Sequence, residues 1–526
     1  MGQLGWAFVA SVFFWVPLSF WSGGHNFWAE PFTWIMFACV VGLFTAPALY
    51  VIMLRVRVKL CLQSRRSGRG KKVIAFLHPY CNDGGGGERV LWVAIRELIM
   101  RGVLDPNHWD VIVYHGDDVS DREIAAHAKR RFGVEIPAAI QFVHLRRRGW
   151  IEPKRYPVAT LLGQAFGSCV LAAEAIWSAP PDVLVDTTGL HFCLPLMRLA
   201  GVPQLAAYVH YPLVSSDMLG AVKSRKAAHN NASLFARFKA TAMLKLAYYQ
   251  VLVFLYRRAG RMSDCTIANG SWTAAHLRSL WGVRVQTVFP PCDTRTLRTL
   301  PLEPPGGREH LILSVAQFRP EKDHQLQLKA FGALMRAWRA AGDLAPGALE
   351  YKAIHAKLRP RLVLAGAVRH AADQARLDQL KSLAAKLLMQ DADAVTFAPN
   401  LPYPELQQLL GRAKVGLHTM WNEHFGIGVV EMLAAGVVCI AHNSGGPALD
   451  IIDDRRTGRL ATTEQEYADA MADLLLRPGA EDQCKKMAAA GRASVSRFSE
   501  EAFADGMVEA MRPIVGNEEV GGTNEH

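Results

Sequence analysis

Val415 to His442 reads VGLHTMWNEHFGIGVVEMLAAGVVCIAH, and this stretch decides the fold. Val415–His418 and Val438–His442 are short apolar runs with strand character. Between them Val430, Leu433 and Ala434 recur at helical spacing, so Gly426–Gly428 should be the entry to a helix. Strand, glycine turn, helix and strand make one unit of a parallel sheet, and ligands of such sheets collect beyond the carboxyl ends of the strands. The helix start offers unpaired N–H groups and partial positive charge, which suits a diphosphate. Glu423 and Glu431, with seven residues between them, bracket it. Glu431, one turn in, is placed to accept hydrogen bonds from ribose hydroxyls. Glu423 is placed to face whatever is attached beyond the phosphates. A surface Glu before a tight turn accounts for any one of these residues alone, but poorly for the whole string.

The same alternation of strand-like and helical stretches extends from Lys72 onward. Strands are expected at Val73–Leu77, Val111–Tyr114, Val183–Asp186, Leu205–Val209 and Cys265–Ala268. After a Pro/Gly-rich passage at Pro301–Gly307 they resume at Leu311–Val315, Leu362–Ala365 and Val395–Phe397. This predicts an α/β protein with two Rossmann-like domains facing a cleft, over residues 72–300 and 301–490. Residues 1–71 read as a membrane anchor with a basic linker, and 491–526 as a C-terminal segment.

Half of the 526 residues are hydrophobic and a fifth are charged, which excludes a disordered chain. The net charge of +12 suits an anionic membrane surface or a phosphate-rich substrate. No zinc-finger or RNA-binding signature appears, so nucleic acid is not an expected partner. Nine cysteines without a C-x-x-C pair, several in apolar contexts (Cys39, Cys169, Cys439), point to reduced thiols in the cytosol. Phe32–Leu54 is uncharged and long enough to cross a bilayer, which takes roughly 20 residues. A dense basic block follows, from Arg55 to Lys72, and the positive-inside rule puts everything after Leu54 in the cytosol. Leu4–Phe20, apolar but without a basic n-region, reads as a second span or an interfacial segment and not as a cleaved signal peptide.

Three further loops follow predicted strands. His78–Arg89 holds Gly84, Gly85, Gly86 and Gly87 ahead of a helix expected to begin near Glu88. Four glycines let the backbone approach a ligand and leave amides free for phosphate oxygens; a merely flexible turn would carry a high entropy cost. His210 ends Leu205–Val209 and should point into the cleft. Gln317–Lys322 carries Arg319 and Lys322, a fork and a point charge within reach of one diphosphate, or else an ordinary basic loop. Asp391-Ala-Asp393 has metal-motif spacing but precedes a strand, and is read as solvated. Leu234–Gly260, apolar with basic flanks, is either a membrane-surface segment or a buried helix.

The E-x-F-G-x-x-x-x-E string resembles the signature of retaining glycosyltransferases of family 4, which have the GT-B fold. There the first Glu contacts the donor sugar and the second the ribose. The chain also carries HPYCNDGGGGERVLW (His78–Trp92), RYPVATLLGQAFGS (Arg155–Ser168), YVHYPLVSSDML (Tyr208–Leu219), IANGSWT (Ile267–Thr273), FPPCD (Phe289–Asp293) and AQFRPEK (Ala316–Lys322). With these it resembles the α-1,2-mannosyltransferases that extend the lipid-linked oligosaccharide of asparagine-linked glycosylation. The glycine loop and Arg155–Ser168 point most sharply to this group.

The resemblance implies GDP-mannose as donor and a dolichyl-diphosphate oligosaccharide as acceptor. Two mannoses would be added with retention, at the cytosolic face of the endoplasmic reticulum membrane, beside other early mannosyltransferases of the pathway. No cofactor or metal is expected. By the same resemblance Glu423 and His210 act on the sugar. Gly84–Gly87, Arg319, Lys322, Phe425, Gly426, Ile427, Gly428 and Glu431 hold the donor. Arg155, Tyr156, Gln164, Tyr211 and Asp217 lie on the acceptor and membrane side, and the segment from Pro478 through Phe498 to Met511 packs back across the cleft. One departure stands out: family 4 enzymes generally carry Arg at the place of Gln317. A GT-B enzyme acting on another lipid such as phosphatidylinositol, and a non-catalytic nucleotide-sugar scaffold, are the rival readings.

Overall fold

Parallel strands need crossover helices, and the alternating sequence supplies them. The protein is represented by a computed structural model that describes residues 29–213, 239–343 and 358–516. The chain divides into two compact units, Met1–Val56 and Arg57–His526. Leu4–Phe20 lies outside the described residues. The expected span Phe32–Leu54 falls within helix α1 (Ala29–Ser64), which exposes Leu49, Ile52 and Met53.

The second unit contains both sheets. The first comprises β1 (Lys72–Leu77), β2 (Trp109–His115), β3 (Ile140–His144), β4 (Val183–Asp186), β5 (Gln204–Val209), β6 (Cys265–Ala268) and β7 (Gln286–Thr287), in the order β3-β2-β1-β4-β5-β6-β7. The second comprises β8 (Glu309–Val315), β9 (Arg361–Gly366), β10 (Val395–Pro399), β11 (Ala413–His418), β12 (Val438–His442) and β13 (Arg459–Ala461), in the order β10-β9-β8-β11-β12-β13. All pairings are parallel. Each order reverses once, between β1 and β4 and between β8 and β11, and a crevice opens at such a switch point. The loops after β1, β8 and β11 are those that the sequence singled out. Three strands were not anticipated, β3, β7 and β13, and each lies at a sheet edge.

The helices that position the site are α2 (Gly86–Met100), α3 (Asp121–Phe132), α4 (Thr160–Ser178), α5 (Lys239–Gly260), α6 (Ser271–Trp281), α7 (Ile427–Ala434) and α8 (Glu500–Val515). The glycine loop enters its helix at Gly86, two residues before the expected start. Glu88 explains this: its carboxylate accepts from the N–H groups of Asp83 and Gly85 and closes the first turn. Among the described residues, α4 is the one helix long and apolar enough to cross a membrane by length and composition. It is partly buried, with Leu171, Ala172, Ala175 and Ile176 packed inside the protein.

Helix α5 covers most of Leu234–Gly260, of which residues 234–238 lie outside the described part. Tyr249, Leu252, Tyr256 and Ala259 sit in a core with Trp281, while Val251, Phe254 and Leu255 are exposed. It is a core helix with an apolar outer face. Helix α8 inserts Phe503, Met507, Met511 and Val515 among Ile74, Trp92 and Tyr208 of the first sheet's core. Burying each such side chain is worth roughly 1.5–3 kcal/mol. Glu500 adds ion pairs to Arg89 (2.7 Å) and Arg96 (3.0 Å) on α2, so the chain's end ties the two sheet domains together. Every described cysteine is free, with Cys439 buried and Cys169 half-buried.

Candidate active site

A cleft of about 820 Å³ opens at the carboxyl ends of both sheets. The first domain contributes Gly84, Gly86, Gly87, His127, Arg131, His210 and Tyr211; the second contributes Gln317, Lys322, Arg369, Tyr403, His418, Glu423, Phe425–Gly428 and Glu431. Most of the residues expected to hold a donor therefore share one cavity.

Glu423 follows β11 and Lys322 follows β8, neighbours in the sheet. Lys322 Nζ lies 2.6 Å from Glu423 Oε2, and His418 Nε2 lies 3.3 Å from the same oxygen. Burial alone would raise the Glu423 carboxyl, but the His418 hydrogen bond and the Lys322 charge outweigh it and hold the group well below the usual carboxylate range. Glu423 is thus an anion at any working pH. Lys322 is fixed from behind by Thr419, whose hydroxyl is 2.8 Å from Lys322 O and accepts from Gln327 Nε2 at 2.9 Å.

The Glu423 loop is clamped by Asn443–Gly446, after β12. Gly446 N–H donates to Glu423 O (2.7 Å) and Asn422 N–H to Ser444 Oγ (2.8 Å). Gly445 has φ +62°, and a Cβ there would come within 2.2 Å of Glu423 O. Gly426, with φ +109°, precedes α7 and turns the chain into it. These close approaches need glycine.

Glu431 lines the cleft, and burial raises its carboxyl to about 7, against the pull of Arg89. A raised carboxyl stabilises the fold while neutral, a contribution present at low pH and lost as pH rises through about 7. Glu431→Gln should therefore raise the stability of the ligand-free protein above pH 7, on the order of 1–2 kcal/mol after allowing for partial exposure. The gain should vanish by about pH 4.5, where the unfolded-state carboxyl also protonates. Melting curves across this range check it; a destabilised variant at pH 8 would refute the assignment.

His210 Nε2 is buried, has no hydrogen-bond partner among the described residues and lies beside Gly87. Burial lowers the imidazole to about 4, so it is neutral at physiological pH. Tyr211 stacks on His424 (5.3 Å), which also meets Trp272 (5.1 Å), an aromatic clasp between the domains. Beside it, Asp450 Oδ2 accepts from Ser271 N–H (2.8 Å) at the start of α6.

Several expectations are corrected. Arg319 does not line the cleft, whereas Gln317 does; Arg319 ends a tight turn in which its N–H bonds Gln317 O. Gly85 is turned away, its N–H taken by Glu88, and of the four glycines only Gly84 has positive φ (+72°). Arg155, Tyr156 and Gln164, expected on the acceptor and membrane side, lie outside the lining of this cleft, which leaves that expectation standing. Arg155 stacks over Trp150 (4.0 Å), Tyr156 Oη donates to Trp150 O, and Gln164 Nε2 donates to Ile151 O, which fasten the turn to α4. Asp217 lies outside the described residues. Of the Asp391–Asp393 pair only Asp393 is solvated: Asp391 is buried, and Arg359 pairs with both, at 3.2 and 2.7 Å. His418, Ser444, Gly445 and Arg131 were not anticipated. His418 alone had a readable signal, since like His210 it ends a strand that points into the cleft.

Comparison with known proteins bears on this geometry. Residues 71–281 match the family described as ALG11 mannosyltransferase N-terminus, and residues 303–494 match Glycosyl transferases group 1. The Mus musculus "GDP-Man:Man(3)GlcNAc(2)-PP-Dol alpha-1,2-mannosyltransferase" is 42% identical over 489 residues, 91% of this chain and 94% of that protein. The Homo sapiens protein of the same name is 43% identical, covering 86% and 89%. The chain belongs to this mannosyltransferase family. Solved structures agree on the fold. Sucrose-phosphate synthase from Thermosynechococcus elongatus aligns with TM-score 0.55 and 18% identity, over 84% of this chain and 99% of that one. Anabaena Alr3699/HepE in complex with UDP and glucose aligns with TM-score 0.52 and 17% identity, over 83% and 98%. These are GT-B-like proteins, and at such identities they speak for the two-domain architecture alone. The Glycosyl transferases group 1 match, residues 303–494, spans both the Glu423 loop and the loop that clamps it.

Proposed function

We propose that the protein transfers mannose from GDP-mannose to the trimannosyl dolichyl-diphosphate oligosaccharide, twice in succession, in α-1,2 linkage and with retention. The observation that carries this is the 42% identity across 91% of the chain to a relative named for that activity. The cleft supports it with an anion and a cation beyond a helix N-terminus. Glu431 would bind the ribose, the start of α7 the diphosphate, and Glu423, His210 and Lys322 the mannose side. As the bond from C1 to the diphosphate oxygen breaks, a bond from C1 to the acceptor oxygen forms on the same face. The acceptor's proton passes to the departing phosphate. Ionised Glu423 stabilises the positive charge that builds at C1, and neutral His210 can orient a hydroxyl without competing for that role. In this reading the protein's own dipoles and cations serve the diphosphate, and no metal is required.

We place the enzyme on the endoplasmic reticulum membrane, anchored by Phe32–Leu54, with the cleft on the cytosolic face and other early mannosyltransferases as neighbours. The basic block after Leu54 supports that orientation. The deciding assay offers detergent-solubilised protein GDP-mannose with either the trimannosyl dolichyl acceptor or phosphatidylinositol. Two mannoses on the dolichyl acceptor are expected; transfer only to phosphatidylinositol, or none by folded protein, would sink the reading. Protease digestion of sealed microsomes should degrade the cleft domains without detergent, as cytosolic exposure requires.

A further inference from the structure

We propose that Arg131, on α3 of the first domain, is a ligand of the donor's diphosphate and supplies the charge that its departure needs; this rests on the GDP-mannose reading. A diphosphate in the cleft meets few uncommitted cations. Lys322 is ion-paired with Glu423 at 2.6 Å, and Arg319 does not face the cavity. Gln317, which does face it, is neutral. Among the described residues the other Lys and Arg side chains lining the cleft are Arg131 and Arg369. Arg369 follows β9, on the same wall as Asn400 and Tyr403.

Arg131 comes from the opposite wall and faces the place where both helix starts meet. Its Nε donates to Gly84 O at 3.3 Å. An arginine has five N–H groups, so the Nη groups remain for a ligand. No described carboxylate forms an ion pair with it. Gly84 leads directly into α2, and a Cβ on Gly86 would lie 3.1 Å from Ile427 Cδ1 at the head of α7. Two sets of unpaired helix amides and one free guanidinium thus converge on one part of the cleft. His127, one turn earlier on α3, flanks the same Gly84, with Nδ1 held 2.6 Å from Asn82 Oδ1. The Arg131 charge is also felt at Glu431, where it favours the ionised carboxylate.

The chemistry follows from placement. When the C1–oxygen bond breaks, its electron pair leaves on the diphosphate, and a guanidinium there offsets the growing negative charge. Because Arg131 belongs to the first domain and the start of α7 to the second, the leaving group is met from both walls of the cleft.

The test uses the full-length protein in detergent, with calorimetric binding of GDP, GMP and guanosine and steady-state transfer, for wild type, Arg131→Gln and Arg131→Lys. Arg131→Gln should weaken GDP binding by about 10- to 100-fold, the worth of hydrogen bonds to a charged group, with guanosine binding unchanged. Arg131→Lys keeps the charge without the bond to Gly84 and should retain most of the GDP affinity. Salt should weaken GDP binding more in wild type than in Arg131→Gln. Equal GDP affinity in wild type and Arg131→Gln would overturn the inference. So would parallel loss of guanosine and GDP, or an Arg131→Lys as impaired as Arg131→Gln, which would mark a purely structural bond to Gly84. Should Arg131→Gln fail to fold, the lysine variant and the wild-type salt dependence decide. Wild type that binds GDP but transfers no mannose would refute the donor reading and leave the GDP comparison to judge Arg131.

Discussion

Glu423→Gln is expected to lower kcat for mannosyl transfer by about 10²–10³-fold, the range for losing one aligned electrostatic group in a water-poor site. Two neighbours, Lys322 at 2.6 Å and His418 at 3.3 Å, keep this carboxylate ionised, and the change removes its charge with little change of shape. GDP affinity should change little, because the nucleotide is held by other groups. The variant also leaves Lys322 without its counter-charge, and stability should fall by about 1–3 kcal/mol. A second change, Lys322→Met, should restore part of that stability without restoring transfer, which separates the two effects in a double-mutant cycle. Single-turnover rates and thermal melts provide both readouts. A Glu423→Gln protein that transfers mannose at a wild-type rate would remove Glu423 from the chemistry.

Gly445→Ala should be nearly as damaging, although Gly445 carries no chemical group. Its Cβ would sit 2.2 Å from Glu423 O and 3.0 Å from Asn422 C, at a φ of +62° that side chains rarely adopt. Backbone neighbours cannot swing aside, so the Glu423 loop must move and the Gly446 N–H bond to Glu423 O must stretch or break. A displacement near 1 Å costs about 10²-fold in rate, and strain of this kind about 1–3 kcal/mol or more in stability. Gly428→Ala is the contrasting case: its Cβ would meet Val315 O at 3.7 Å, an ordinary contact, at a helical position. It should fold normally, so any lost transfer there reports ligand approach. If Gly445→Ala keeps wild-type stability and rate, the clamp described above does not hold Glu423.

Much of this architecture was legible along the chain. Interior strands such as Val183–Asp186, Cys265–Ala268 and Val438–His442 have the bounds read from their apolar runs, because both faces of a parallel sheet are buried. Strand β3 escaped because an edge strand is covered less: in Ile140–His144 only Ile140 is buried. The glycine loop and the α7 entry were recognisable because positive φ and close approach demand a particular residue type. Arg155, Tyr156 and Gln164 were recognisable as a motif, but the packing they provide was not. A Cβ on Gly167 would come within 1.9 Å of Trp150 O, so that motif records tight packing between the turn and α4.

The sequence by itself determined two Rossmann-like domains, a helix-start anion site with a carboxylate on either side, and the family. These depend on hydrophobic period, glycine position and local motif, all carried by residues close along the chain. Tertiary structure alone decided which charges are spent and which are free. Lys322 neutralises Glu423 because β8 and β11, about a hundred residues apart, are neighbours at a switch point, as the 101-residue separation of the ion pair records. Arg319 was lost to a turn, and Arg131 gained a place in the cleft because α3 packs beside the glycine loop. Strand order and helix packing set such pairings, and electrostatics falls off over a few ångströms of space with no regard for distance along the chain.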